Sequence, residues 1–210
     1  MKIFVVRIGE KYGVEYENYL NNKLDNYEIV WIRNAFHPEI KLQWNKIFPM
    51  SLSLEEPICV MDIDVELIND YKKIFDYPIE RGQFLTAPGY WREPFQSKKT
   101  RKINGGFYKY YPVDCKEIYK KFMRNYKKWQ SHWSSPGIVS GEQWFVEENV
   151  KEKLNLITLP NEWFTRYDKN KDKFYNDVYT FNTKNDYLTS DEKFHPDIKF
   201  IHLEHVTNYA

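Results

Sequence analysis

Residues 57–61 run Pro57, Ile58, Cys59, Val60, Met61 without a polar interruption, and two carboxylates, Asp62 and Asp64, follow at once. An apolar run this short, with no alternation, is the pattern of a strand covered on both faces, as in the middle of a sheet flanked by helices. Side chains at i and i+2 leave such a strand toward the same side, so the spacing predicts that Asp62 and Asp64 converge at the strand end. Like charges held there raise each other's pKa unless a cation neutralises them, which makes the pair a candidate for a hard divalent ion. The same residues also read as a solvated strand end, with Asp64 capping the segment that follows.

The chain around this strand alternates strand and helix patterns. Residues 2–8 are predicted as a buried strand on Ile3, Phe4, Val5 and Val6, and Val14, Tyr16, Tyr19, Leu20 and Leu24 fall at helical spacing. Tyr27 to Ile32 is again β-branched and aromatic. A β-α-β opening implies a right-handed crossover and a parallel sheet, with ligand sites at the carboxyl ends of its strands. Further on, residues 42–54 read as a helix interrupted at Pro49, 66–76 as a helix, and Phe84 to Ala87 as a strand. Arg92 to Lys102 reads as a basic loop, and Ile103 to Tyr111 as a strand entered through a glycine turn at Asn104-Gly105-Gly106. Cys115 to Trp133 is predicted as one long amphipathic helix, Glu142 to Val150 as a helix, and Leu154 to Leu159 as a strand. Residues 166–197 read as a long loop or an edge hairpin, and Ile198 to Leu203 as a closing strand that delivers His202 and His205. The fold class expected is α/β, in one domain over 1–210.

Composition excludes several classes of function. Lys plus Arg number 31 against 30 for Asp plus Glu, so no global field is available to hold nucleic acid or an anionic membrane, and any anion must be bound locally. No 18-residue apolar span occurs, so no membrane span is expected. Two cysteines are too few for a disulfide scaffold and fit a reducing, cytoplasmic setting. Aromatic residues reach 18%, with 17 Tyr and 7 Trp, and such rings either fill the core or stack on sugars and bases.

Asp62-Ile63-Asp64-Val65 also satisfies the Asp-x-Asp-x-Thr/Val pattern of the haloacid-dehalogenase-like phosphatases, in which Asp62 would be a nucleophile. That motif normally lies on the first strand of its domain, whereas here a β-α-β unit precedes it. The wider pattern resembles the GT-A-fold glycosyltransferases that include glycogenin and the bacterial galactosyltransferase-like enzymes. Val6 and Arg7 to Tyr16 look like the segment after the first strand that holds the nucleotide base, with Tyr12 as its ring. Trp44-Asn45-Lys46 is similar to the segment carrying a lysine close to the donor, and Met61-Asp62-Ile63-Asp64 matches the Asp-x-Asp strand. Asn104-Gly105-Gly106 looks like the Asn-Ser-Gly turn, Glu142-Gln143 stands where Asp-Gln is common, and His202 matches the histidine completing the metal site. Taken one at a time, a residue like Lys46 is more often a solvated lysine, a pair like Gly105 and Gly106 more often a plain turn, and a ring like Tyr12 more often a surface ring.

The resemblance implies a central, mostly parallel sheet flanked by helices, and a metal site of Asp62, Asp64 and His202 holding Mn2+ or Mg2+. It further implies a UDP-sugar donor bound by Val6, Arg7, Tyr12, Trp44, Lys46, Met61 to Asp64, Asn104 to Gly106 and His205, with a glycan or glycoprotein as acceptor. Glu142, Gln143 and Asn104 would act at the reacting sugar, with anomeric configuration retained. The family continues past its histidine with a glycine and a lysine that grips the diphosphate, but here His202-Leu203-Glu204-His205-Val206-Thr207-Asn208 contains no lysine. His205, Asn208 or the Lys98 to Lys102 segment would have to replace it. Richness in lysine, asparagine and tyrosine is similar to the soluble glycosyltransferases that large DNA viruses of algae direct at their capsid protein, which would place the chain in the host cytoplasm. A non-catalytic nucleotide-sugar or glycan-binding domain is the alternative, and the resemblance leaves room for further domains after residue 210.

Overall fold

In the computed structural model, the described residues are 1–89, 103–133, 141–168, 170, 173–175 and 194–204. The opening forms as its hydrophobic period predicts: β1 (Lys2–Val6), α1 (Val14–Lys23) and β2 (Glu28–Ile32), with β1 and β2 parallel and in register from Lys2 with Glu28 to Val6 with Ile32. β3 (Ile58–Met61) is buried at every position and lies beside β1. With β5 (Gln83–Pro88), β6 (Ile103–Tyr110) and β7 (Asn155–Thr158) it completes a six-stranded sheet in the order β2-β1-β3-β6-β5-β7. β6 runs against both of its neighbours and the other pairings are parallel.

Alternation along the strands divides the core into two layers. Ile3, Val5, Cys59, Met61, Leu85 and Phe107 face α1 and α2 (Lys72–Asp76). Phe4, Ile58, Val60, Phe84, Tyr108 and Tyr110 face a 3-10 segment at Leu42–Ser51, α3 (Pro112–Arg124) and, after α4 (Tyr126–Trp133), α5 (Gly141–Lys153). A smaller sheet has the order β4-β10-β8-β9, from β4 (Val65–Leu67), β8 (Phe164–Asp168), β9 (Lys173–Tyr175) and β10 (Phe200–Glu204).

Several expectations change. The predicted helix over 66–76 begins instead as β4, because Val65 and Leu67 are wholly buried and pair with β10, and only Lys72–Asp76 coil. Residues 42–51 are 3-10 rather than α-helical. The long helix of 115–133 is broken at Asn125, whose backbone N–H bonds to the Phe122 carbonyl. Asn104-Gly105-Gly106 is no entry turn but part of β6, beside a register shift between Thr86 and Ala87. The first part of 166–197 forms a hairpin of β8 and β9. The basic loop of 92–102 falls outside the described residues except for its neighbour Ile103, and His205 and Asn208 also fall outside them.

Candidate active site

The three residues after β3 join the two sheets. Asp62 N–H donates to the Gly106 carbonyl at 3.0 Å, which holds Asp62 on the large sheet, and Leu203 N–H donates to the Asp64 carbonyl at 2.8 Å, which holds Asp64 on the small one. Ile63, between them, points into the core. β10 pairs antiparallel to β4 with His202 opposite Val65, and that register carries the imidazole to the carboxylates. His202 Nε2 lies 3.7 Å from Asp62 Oδ2 and 3.5 Å from Asp64 Oδ1, and one ligand atom from each residue falls within 4.8 Å of the others. Two carboxylate oxygens and one ring nitrogen suit manganese, which accepts mixed donors, better than calcium, and they leave magnesium, which also prefers oxygen, as the second choice.

Charge is balanced tightly around this triad. Burial works against a charge on His202, but the Asp64 carboxylate, by its charge and its hydrogen bond, and the Asp62 charge outweigh it and hold the proton above the ordinary histidine range. Burial likewise pushes Asp64 up, yet His202, Tyr12 and Lys11 together bring it down to about 2. Lys46 is buried and donates to Asp62 Oδ1 at 2.7 Å and to the Gly105 carbonyl at 2.9 Å, with Glu142 Oε2 at 3.8 Å. Its burial opposes the charge, but Asp62 and Glu142 more than offset that, so it stays an ammonium beyond its usual range. Glu142 is fully buried, and its Oε1 accepts from the Tyr108 hydroxyl at 2.8 Å.

A pocket of about 240 Å³ opens over these groups. It gathers Val6, Tyr12, Lys46, Asp62, Ile63, Asp64, Glu142, Gln143 and His202, all singled out by the sequence. The other described residues named there are not part of its lining. Trp44 is in the core, stacked on Phe122 at 5.5 Å, and Met61 is wholly buried beneath the carboxylates. Arg7 pairs with Glu17 at 2.6 Å and donates to the Tyr12 carbonyl at 3.3 Å, so it shapes the loop that carries Tyr12. Asn104 Oδ1 accepts from Gly106 N–H at 2.5 Å, while its buried Nδ2 has no hydrogen-bond partner among the described residues.

Gly105 is required by proximity: a Cβ there would meet Gln143 Cγ at 2.5 Å. Ile8, Lys11, Leu42 and Gln43 also line the pocket. A sequence signal existed for some of them, since Ile8 is two residues from Val6 along an extended chain and Gln43 is one 3-10 turn before Lys46. Leu42 is exposed with φ +29°, a conformation that leucine rarely adopts.

No family model matches the chain, and none of the curated proteins matches it by sequence. Solved structures do match. The glycosyltransferase involved in glycosylation of the major capsid of PBCV-1 superposes with TM-score 0.55 at 15% identity, over 96% of this chain and 93% of that one. LgtC, a galactosyltransferase solved with donor and acceptor sugar analogues, gives TM-score 0.53 at 8% identity over 97% and 87%. The glycosyltransferase GlyE of Streptococcus pneumoniae TIGR4 gives 0.50 at 12% identity over 78% of this chain, which spans only 46% of that protein. With a central sheet running mostly one way, helices on both faces and the Asp-x-Asp segment at the sheet's edge of departure, the chain has the fold of the GT-A glycosyltransferases.

Proposed function

We propose that the protein is a metal-dependent glycosyltransferase that moves a sugar from a UDP-sugar to a glycan or glycoprotein acceptor with retention of configuration. The observation that carries this reading is the convergence of Asp62, Asp64 and His202 on one wall of the pocket, with the buried Lys46 ammonium 2.7 Å behind Asp62. Asp62, Asp64 and His202 would hold Mn2+ or Mg2+, which when bound supplies a Lewis acid for the departing nucleoside diphosphate. Val6 and the ring of Tyr12 offer an apolar wall for the nucleobase, and Arg7 fixes the loop behind it. Lys46 donates to Asp62 and lies 3.8 Å from Glu142 Oε2, which places one positive charge between two carboxylates that line the pocket.

Glu142 and Gln143 stand in the first turn of α5 and line the same pocket. A carboxylate held there would offset positive charge at the anomeric carbon in an oxocarbenium-like transition state, and the Gln143 amide would orient the sugar. The buried Nδ2 of Asn104, which has no hydrogen-bond partner among the described residues, supports a hydrogen-bonding role beside them. The phosphatase alternative finds less support, because Asp62 follows the third strand of the sheet in chain order and one of its oxygens already accepts from Lys46.

A thermal-shift screen of nucleotide sugars with and without Mn2+ tests the proposal, since a ligand that binds only the native state raises its melting temperature. The expected result is a shift of several degrees with a UDP-sugar and Mn2+ together and a much smaller one with either alone. Equal shifts with and without the metal would refute metal dependence, and release of free sugar on incubation separates turnover from binding alone.

A further inference from the structure

Asp64 shares its two carboxylate oxygens between different partners. Oδ1 faces His202 Nε2 at 3.5 Å, on the side of the candidate metal site. Oδ2 accepts a 2.5 Å hydrogen bond from the Tyr12 hydroxyl, which comes from the loop after β1. The Tyr12 oxygen in turn accepts from Lys11 Nζ at 2.7 Å. Donors therefore line up as ammonium to phenol to carboxylate, and a phenol that accepts from an ammonium is a stronger donor to the next oxygen. The ring of Tyr12 is fixed as well, edge-on to the wholly buried Tyr16 with centroids 5.1 Å apart, so the hydroxyl is delivered from a side chain with little freedom of its own.

An aspartate at the mouth of a sheet has a broad χ2 preference, and nothing in its own rotamer decides which oxygen faces a metal. The partner on the far oxygen decides it, and such outer partners orient ligating carboxylates and raise their affinity for the ion. We propose that Tyr12 is a positioning residue for the metal site: its hydroxyl, backed by Lys11, holds Asp64 with Oδ1 turned toward His202 and Asp62. This rests on the metal-dependent reading above and extends it, because the ring of the same residue walls the pocket that would take the nucleobase. One side chain thus serves the metal through its oxygen and the nucleotide through its ring.

The two roles are separable by substitution. Tyr12→Phe keeps the ring and removes the hydroxyl, Lys11→Met keeps the phenol and removes the ammonium behind it, and Asp64→Asn serves as the control for a lost ligand. Mn2+ alone is titrated into the full chain by calorimetry or by electron paramagnetic resonance of the free ion, and UDP is titrated in the absence of metal. Thermal melting checks that each variant is folded. Tyr12→Phe is expected to weaken Mn2+ about tenfold, the scale on which outer-shell partners act, while metal-free UDP affinity stays within about twofold and Lys11→Met has an effect in the same direction but smaller. If the wild-type chain binds Mn2+ and Asp64→Asn does not, but Tyr12→Phe binds it unchanged, the positioning role is overturned and the metal site stands. A wild-type chain that takes up no Mn2+ overturns the metal-dependent reading and the positioning role with it.

Discussion

Replacing Lys46 by methionine would keep the apolar stem of a buried side chain and remove the ammonium between Asp62 and Glu142. Breaking a buried charge group by deleting one partner costs about 3–5 kcal/mol, because the remaining charges are left without compensation. Urea denaturation of Lys46→Met should show a loss of that size, part of it recovered by Mn2+, since an ion on Asp62 neutralises the same carboxylate. A loss below ~1 kcal/mol would mean that Asp62 and Glu142 do not depend on the lysine. His202 supplies a prediction in pH. Its proton is held above the histidine range, so the stability it contributes is complete below the unfolded value of about 6.5 and disappears as pH rises through the higher folded value. The metal-free protein should therefore lose stability between roughly pH 6.5 and the folded pKa of His202. Mn2+ affinity should climb over the same window as the ion replaces the proton on Nε2, and calorimetry in two buffers of different ionisation heat would read the proton released. His202→Asn should abolish that pH dependence.

Among the elements, β6 and α5 meet so closely at Gly105 that backbone and helix are in contact through Gln143. Gly105→Ala brings a Cβ to within 2.5 Å of Gln143 Cγ, so the Gln143 side chain, or α5 with it, must shift. Overpacking of this kind costs about 1–3 kcal/mol. The expected outcome is a lower melting temperature together with weaker UDP-sugar binding, because Gln143 lines the pocket. A variant that melts lower but binds normally would show that α5 moves without disturbing the pocket. α4 works on the opposite rim: Gln130 accepts from Lys41 N–H at 2.9 Å and donates to the Glu39 carbonyl at 3.1 Å, which anchors the chain just before Leu42 and Gln43. The break between α3 and α4 at Asn125 turns α4 toward that rim. Amphipathic spacing runs through Asn125 unchanged, which is why residues 115–133 read as one helix.

At the scale of the molecule, the candidate metal site spans the two sheets, with Asp62 pinned to β6 of the large sheet and His202 on β10 of the small one. An ion held by both would tie the sheets together. Hydrogen exchange should then slow most for the amides of β4 and β10 when Mn2+ and UDP are added, and little for β2 at the far edge of the large sheet. Uniform slowing over all strands would argue against a bridging site. The sequence by itself determined the parts whose cause is local. The β-α-β opening followed from hydrophobic period, β3 from an uninterrupted apolar run, and the convergence of Asp62 and Asp64 from the two-residue repeat of a strand. Tyr12, Lys46, Glu142, Gln143 and His202 were named from resemblance, and all five line one pocket. Only the tertiary structure decided what depends on distant pairing. Val65 and Leu67 became a strand because β10 offers them partners, overriding a helical reading of 66–76. Trp44 went to the core because Phe122 and Phe145 pack around it. The glycines of 104–106 lie within β6 because the sheet demands an extended chain there, with Gln143 too close for a side chain at Gly105. Local periodicity reports which face of an element is buried. Which element buries it, and which oxygen of Asp64 is left facing His202, is set by contacts between residues far apart along the chain.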